Sequence, residues 1–159
     1  MAHTTFEQSI VIAAPREAVR DELAHLMTNV SELHPFVIWT RLVKTETAPD
    51  GSTIEYYQVR DRMKLGPFTI AFTYKVDMNV TPGGQLISNA YQSPGIHLFN
   101  QTSFAETANG TLVSEHIDIT APALLLKTTY EGAAVSHKEM FARLKEKIEA
   151  KHQGEGKTV

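Results

Sequence analysis

The chain has 159 residues, of which 42% are hydrophobic and 21% are charged, as is usual for one globular domain. It contains no cysteine, which excludes disulfides, thiol nucleophiles and cysteine-ligated metal centres. Fifteen basic against 18 acidic residues give a net charge of −3, the opposite of the electrostatic pattern of nucleic-acid-binding proteins. We therefore expect no nucleic-acid partner.

The chain also lacks the signals of membrane insertion and export. No apolar run approaches the roughly 18 residues that cross a bilayer. The sequence opens with Met1-Ala2-His3-Thr4 rather than with a basic stretch followed by an apolar one. These features predict a cytoplasmic protein without integral membrane association.

The N-terminal part predicts one strand followed by two helices. A strand over residues 5–13 places Phe6 and Ile10 on one face. Pro15 suits the first turn of a helix that runs to about Met27. A second short helix over 30–33 ends before Pro35, which disfavours helical geometry in the residue before it.

The middle of the chain alternates apolar and polar residues and is punctuated by turn residues such as those of Asn109-Gly110, the pattern of an antiparallel meander. The clearest alternation follows Gly66-Pro67, where one face of a strand is apolar and the other polar. We predict strands at about 36–47, 52–64, 68–80, 85–92, 96–107 and 111–120.

The last third changes to helical periodicity. Apolar residues recur at three- and four-residue steps over 122–150, which predicts one long amphipathic helix in which Gly132 is a weak point or a bend. We expect a single domain over residues 1–152 and a flexible polar tail over 153–159.

The segments in this order resemble a known superfamily. Ser9-Ile10-Val11-Ile12-Ala13-Ala14-Pro15-Arg16-Glu17-Ala18-Val19 is similar to the first strand and helix start of START-like, birch-pollen-allergen-like SRPBCC proteins. Ser31-Glu32-Leu33-His34-Pro35 resembles their second-helix exit, and Gly110-Thr111-Leu112-Val113 with Phe141-Ala142-Arg143-Leu144-Lys145 resembles their last strand and long helix. The resemblance implies an α+β helix-grip fold, in which a curved antiparallel sheet of about seven strands wraps around the C-terminal helix. It also implies a cavity between the sheet and the long helix. In this superfamily the cavity binds hydrophobic ligands, and in polyketide cyclase/dehydratase-like members it is the active site.

Two residues are candidate catalytic groups. In the last strand Glu115 shares a face with Val113 and Ile117, so it is a carboxylate on an apolar stripe. Burial would raise its pKa and make it a general acid or base near neutral pH. His137 lies on the apolar stripe of the long helix, where the two could form a proton-transfer pair. Ordinary structural roles remain open for both, because nothing in the sequence shows that they meet.

Other residues are candidates for the lining of the cavity. The sequence alone does not distinguish residues that line the cavity from residues that pack in the hydrophobic core. Either role is open for every candidate. The polar and aromatic candidates are Trp39, Tyr57, Asn89, Tyr91 and Asn100. The remaining candidates are Val59, Phe68, Ile70, Phe72, Tyr74, Val113, Ile117, Ala133 and Met140.

No motif supports a metal or a cofactor. His116 and Asp118 share a strand face, but no third ligand is spaced to complete a site. Glycine-rich phosphate-binding loops and the common hydrolase motifs are absent from the sequence. We expect neither a metal nor an organic cofactor.

Three functions are consistent with these features. The first is binding of a lipid-, polyketide- or aromatic-like small molecule. The second is a cyclase or dehydratase that uses Glu115 and His137 for proton transfer. The third is a protein- or quinone-interaction module, which an exposed apolar patch over 36–39 would favour. The sequence also leaves open whether the protein forms a homodimer.

Overall fold

The structure is a computed structural model that describes residues 1–28 and 30–156. One strand, short helical segments, six further strands and one long helix follow each other along the chain. The elements are β1 (Ala2–Ile12), α1 (Arg16–Ala24), a 3-10 turn (Leu26–Thr28), α2 (Val30–Leu33), β2 (Val37–Thr47), β3 (Thr53–Leu65), β4 (Phe68–Val80), β5 (Leu86–Gln92), β6 (Ile96–Thr107), β7 (Gly110–Ala121) and α3 (Ala123–Gly156).

The seven strands form one antiparallel sheet in the order β1-β7-β6-β5-β4-β3-β2. Strands β2 to β7 are a meander of hairpins, and β1 joins it beside β7, where Phe6 pairs with Ile117. The helix α3 packs against β1 and β7, and the α1–α2 segment precedes the opposite edge strand β2. This is the predicted helix-grip α+β architecture, and the fold prediction is confirmed.

The alternation of β7 shows how the sheet builds the core. Every second residue from Thr111 to Ala121 is buried, and the residues between them are partly exposed. The buried face of β7 meets the apolar stripe of α3, in which Phe141, Leu144 and Ile148 are buried. Burial of each such side chain contributes about 1.5–3 kcal/mol, so this contact supplies much of the folding free energy.

Three boundaries differ from the sequence-based expectations by more than one residue. β1 begins at Ala2 rather than near residue 5, because its pairing with β7 continues to the Ala2–Ala121 pair. The first helix ends at Ala24, and a 3-10 turn replaces its predicted last turn. The helix α3 continues to Gly156, into the segment for which the sequence predicts a tail, and residues 157–159 lie outside the described part.

No helix among residues 1–28 and 30–156 combines the length and the apolar character that crossing a membrane requires.

Gly110 fixes the start of β7 against the end of β1. Its φ is +138°, and a Cβ atom there would lie 2.1 Å from the carbonyl oxygen of Ile12. We expect Gly110→Ala to lower the free energy of unfolding by about 3 kcal/mol or more, because backbone must shift to relieve the clash. Urea unfolding followed by circular dichroism measures the change.

Gly51 is the matched control, since its φ is +87° but a Cβ atom there would meet nothing within 4 Å. Gly51→Ala should cost only about 1–2 kcal/mol, the strain of the left-handed conformation. Equal losses in the two variants would contradict the close approach at Gly110.

Candidate functional site

Two adjoining cavities lie between the sheet and α3. The outer cavity has a volume of about 290 Å³ and the inner cavity about 110 Å³. Five residues line both cavities, and we call them the waist. The waist consists of His34, Tyr74, Ala90, Leu98 and His137.

The outer cavity is bounded by the ends of β3 and β4, the β5–β6 turn and the first turns of α3. Exposed residues such as Ile70 and Pro94 belong to its wall, so it reaches the protein surface there. Four of the predicted lining residues are found in this wall. They are Ile70, Phe72, Tyr74 and Ala133.

The inner cavity lies deeper, between the centre of the sheet and α3. Its lining is mostly apolar and includes Leu23 from α1 and Val37 from β2. The predicted candidates found here are Val59, Tyr74, Asn100, Glu115, Ile117, His137 and Met140.

Glu115, which lines the inner cavity, meets the waist residue His137. The side chain of Glu115 is 1% exposed, and His137 Nδ1 donates a hydrogen bond to its Oε2 over 2.9 Å. Asn100 Nδ2 donates to the same oxygen over 2.6 Å, and Gln8 Nε2 donates to Oε1 over 2.8 Å. Thr102 holds the amide of Asn100 in this orientation by donating to its Oδ1 over 3.0 Å. Three elements, β1, β6 and α3, thus supply donors to one buried carboxylate.

The environment of this pair stabilises both charges. Burial alone would raise the pKa of Glu115, but the charge of His137 and the three hydrogen bonds outweigh it and hold the pKa below its usual value. Burial alone would lower the pKa of His137, but Glu115, assisted by Asp61, raises it. The expectation of a raised Glu115 pKa is therefore wrong, since it considered burial without the donors. Both shifts favour the charged forms, a carboxylate beside an imidazolium.

His34 supplies a neutral imidazole beside this cation. Its ring meets the ring of His137 edge-on, with centroids 5.8 Å apart. Burial and the charge of His137 lower the pKa of His34 to about 3. The amide N–H of Phe36 donates to His34 Nδ1 over 3.2 Å, so the ring proton resides on Nε2. His34 can therefore donate one hydrogen bond from Nε2.

Asp61 is a second buried carboxylate, and it lines the outer cavity. Tyr74 donates its hydroxyl to Oδ2 over 3.1 Å, while Oδ1 is buried and has no hydrogen-bond donor in the described part of the chain. Burial raises the pKa of Asp61 to about 6, against the opposing effects of Tyr74 and His137. A buried carboxylate with an unpartnered oxygen is unusual in a folded protein.

Six predicted lining residues lie outside the lining of both cavities. Tyr57 and Val113 belong to the packed core, and the Tyr57 hydroxyl bonds to Glu55. Trp39 is 42% exposed and pairs with Arg60 on the outer face of the sheet, and Phe68 is 71% exposed beside the β3–β4 turn.

Asn89 and Tyr91 point to the outer face of β5. Asn89 donates to Asp77, and Tyr91 stacks on His97. The inward face of β5 carries the small residues Ser88 and Ala90 instead. The prediction that Asn89 and Tyr91 line the cavity assigned them to the wrong face of β5. Alternation shows which residues share a face, but it does not show which face is buried.

His34 and Asp61 were not among the predicted site residues. The signal for Asp61 was present, since it follows Val59 on the apolar face of its strand just as Glu115 follows Val113. Because Arg60, Arg62 and Lys64 alternate with it, the strand reads as a solvated, charged segment, and Asp61 does not stand out as a buried carboxylate. Nothing in the local sequence distinguishes His34 from an ordinary loop histidine.

Within residues 1–28 and 30–156, no three His, Cys, Asp or Glu side chains are grouped so that they could hold a metal ion.

Solved structures share this fold at low sequence identity. The aromatase/cyclase Zhui from Streptomyces sp. R1128 superposes with a TM-score of 0.72 and 12% identity over 93% of this chain and 94% of that protein. The protein Ara h 8.0201 gives a TM-score of 0.69 at 10% identity over 92% and 98% of the two chains.

A di-domain protein shows the same fold in one of its halves. The di-domain aromatase/cyclase BexL of the BE-7585A biosynthetic pathway gives a TM-score of 0.71 at 16% identity over 91% of this chain. The chain spans about half the length of BexL and of StfQ, a second di-domain aromatase/cyclase. Models of protein families and curated protein sequences give no match. The fold is thus one that this chain shares with these aromatase/cyclases and with Ara h 8.0201, and it agrees with the fold that the resemblance implies.

We expect Glu115→Gln to lower the free energy of unfolding by about 3 kcal/mol at pH 6, because it removes one partner of a buried pair. The pair stabilises the fold most between its two pKa values. The contribution of Glu115 is lost as the pH falls through its lowered pKa, and that of His137 as the pH rises through its raised pKa. Denaturant unfolding across pH measures both limits.

Glu7→Gln is the matched control, because Glu7 bonds to His116 at 2.7 Å but its side chain is 73% exposed. An exposed pair contributes less than about 1 kcal/mol. A Glu115→Gln variant as stable as Glu7→Gln would contradict the buried ion pair.

Proposed function

We propose that the protein binds a hydrophobic or amphipathic small molecule that occupies the outer cavity and places its polar end at the waist. The observation that carries the proposal is a cavity with apolar walls whose lining also contains hydrogen-bond donors and one hydrogen-bond acceptor. Side chains such as Ile70, Phe72 and Ile96 form the apolar wall, His34 and His137 lie at the waist, and Asp61 is a further polar residue of the lining. Apolar walls with few oriented polar groups are typical of ligand sites.

A lipid-, polyketide- or aromatic-like compound with one oxygen substituent fits this distribution. The apolar body gains about 25 cal/mol for each Å² that it buries against the cavity walls. An oxygen at the waist would accept hydrogen bonds from the Nε2–H groups of His34 and His137, because Nδ1 of His34 accepts from Phe36 and Nδ1 of His137 donates to Glu115. The aromatase/cyclases with the same fold support a ligand of this kind, although fold alone does not determine function.

A second candidate function is catalysis of the polyketide cyclase or dehydratase kind. The observation that favours it is the charged pair of Glu115 and His137 at the waist. An imidazolium in an apolar cavity stabilises negative charge that develops on a bound carbonyl oxygen.

An interaction module has less support. The segment 36–39 is divided between the two faces of β2, because Val37 is buried while Ile38 and Trp39 are exposed. Trp39 pairs with Arg60 on the outer face, away from the cavities. A cytoplasmic location and a homodimer stay predictions from the sequence.

Binding can be tested with 2-naphthol, an aromatic probe that carries one hydroxyl group. We expect one molecule to bind per chain, as measured by isothermal titration calorimetry. Gly132 lines the outer cavity, and a Cβ atom there would make an ordinary 3.7 Å contact with Met63. Gly132→Leu should therefore fill the cavity without breaking the fold and should weaken binding about tenfold or more.

Ala142→Leu is the control, because Ala142 is an exposed residue of α3 outside the lining of both cavities. It should bind the probe like the unchanged protein. Equal affinity of Gly132→Leu and the unchanged protein would show that 2-naphthol does not bind in the outer cavity.

A further inference from the structure

Asp61 is a buried carboxylate that is not a member of the Glu115–His137 ion pair. Asp61 is 4% exposed, its Oδ2 accepts the Tyr74 hydroxyl, and its Oδ1 has no donor in the described part of the chain. A buried acceptor without a partner costs free energy. Such a group calls for an explanation, and one explanation is a role in a site, because Asp61 is part of the wall of the outer cavity.

Three elements place titratable groups around Asp61. Tyr74 comes from β4, His137 from α3, and His34 from the segment after α2. The neighbour of Asp61 on β2 is Val37, which is apolar. One cavity therefore contains an acceptor carboxylate, a cationic imidazole and a neutral imidazole.

We propose that Asp61 is the general base of this site, and that it removes a proton from the carbon next to the carbonyl of a bound hydrophobic ketone while His137 and His34 hold the carbonyl oxygen. The inference deepens the proposed function and rests on it. It adds the substrate class, an enolisable ketone, and a catalytic residue that is not part of the Glu115–His137 pair.

The step is balanced within the site. The carbon–hydrogen bond breaks and its proton moves to the carboxylate of Asp61, which lines the outer cavity. The electron pair of that bond becomes the carbon–carbon double bond of an enolate, and the carbonyl π pair moves to oxygen. The imidazolium of His137 stabilises the new negative charge, as preorganised donors do for oxyanions. Asp61 then returns a proton to carbon, so no co-reactant is needed.

Asp61 suits this role better than Glu115. Both oxygens of Glu115 already accept hydrogen bonds, and its lowered pKa makes it a weak base. The pKa of Asp61 is about 6, close to neutral pH, where a general base works best. Glu115 is then a positioning residue that keeps His137 protonated and oriented.

The test is hydrogen exchange of 2-tetralone, a bicyclic ketone with acidic protons beside its carbonyl. In D2O, proton NMR follows the loss of the signal of these protons. We expect the unchanged protein to accelerate exchange above the buffer rate, with a pH profile that rises to a plateau through about pH 6. Asp61→Asn should lower the protein-dependent rate by about 100-fold or more.

Asp118→Asn is the matched control, because it removes the same charge from a partly exposed Asp that bonds to His116 and lies outside the lining of both cavities. It should exchange 2-tetralone like the unchanged protein. If Asp61→Asn binds 2-naphthol and still exchanges 2-tetralone at the unchanged rate, Asp61 is not the base. If neither compound binds to the unchanged protein, the proposed function fails and this inference fails with it.

Thermal unfolding gives a readout that a purely structural role would not produce. The raised pKa means that ionised Asp61 destabilises the fold, and this cost grows as the pH rises from the usual pKa of 3.8 to about 6 and is complete above that pH. Asp61→Asn should therefore raise the melting temperature at about pH 8 and leave it nearly unchanged at about pH 4. A lower melting temperature at pH 8 would indicate that Asp61 stabilises the fold, and would overturn the proposal.

Discussion

The buried pair of Glu115 and His137 is the interaction on which the rest of the site depends. A carboxylate that is 1% exposed requires donors, and these come from Gln8 on β1, Asn100 on β6 and His137 on α3. The pair therefore joins the centre of the sheet to the long helix at one point. The two cavities lie on either side of that point, so the same contact that fastens the helix also places a positive charge between them.

Environment, more than residue type, sets the acid–base properties of the site. Two carboxylates differ because Glu115 has three donors and a lowered pKa, whereas Asp61 has one donor and a pKa of about 6. Two histidines differ because His137 has a carboxylate partner, whereas His34 faces the charge of His137 and has a pKa of about 3. Separation of pKa values between like groups marks the division of acid and base roles in an enzyme site.

The fold could be predicted from the sequence because its signals are local. Alternation and turn residues such as Asn109-Gly110 locate the strands, and the change of period after residue 122 locates α3. The faces that Glu115 and His137 occupy could also be predicted, but not their contact, since it depends on how α3 crosses the sheet. Strand β5 shows what alternation does not predict. Ala90 lines the inner cavity although its side chain is small, whereas the larger Tyr91 lies on the exposed face.

The most direct test of the account is nitrogen-15 NMR of the histidine rings at neutral pH, with each ring assigned by substitution. The chemical shifts distinguish an imidazolium from each neutral tautomer. The account predicts that His137 carries protons on both nitrogens, while His34 is neutral with its proton on Nε2. A neutral His137 at pH 6 to 7 would contradict the buried ion pair and the positive charge at the waist.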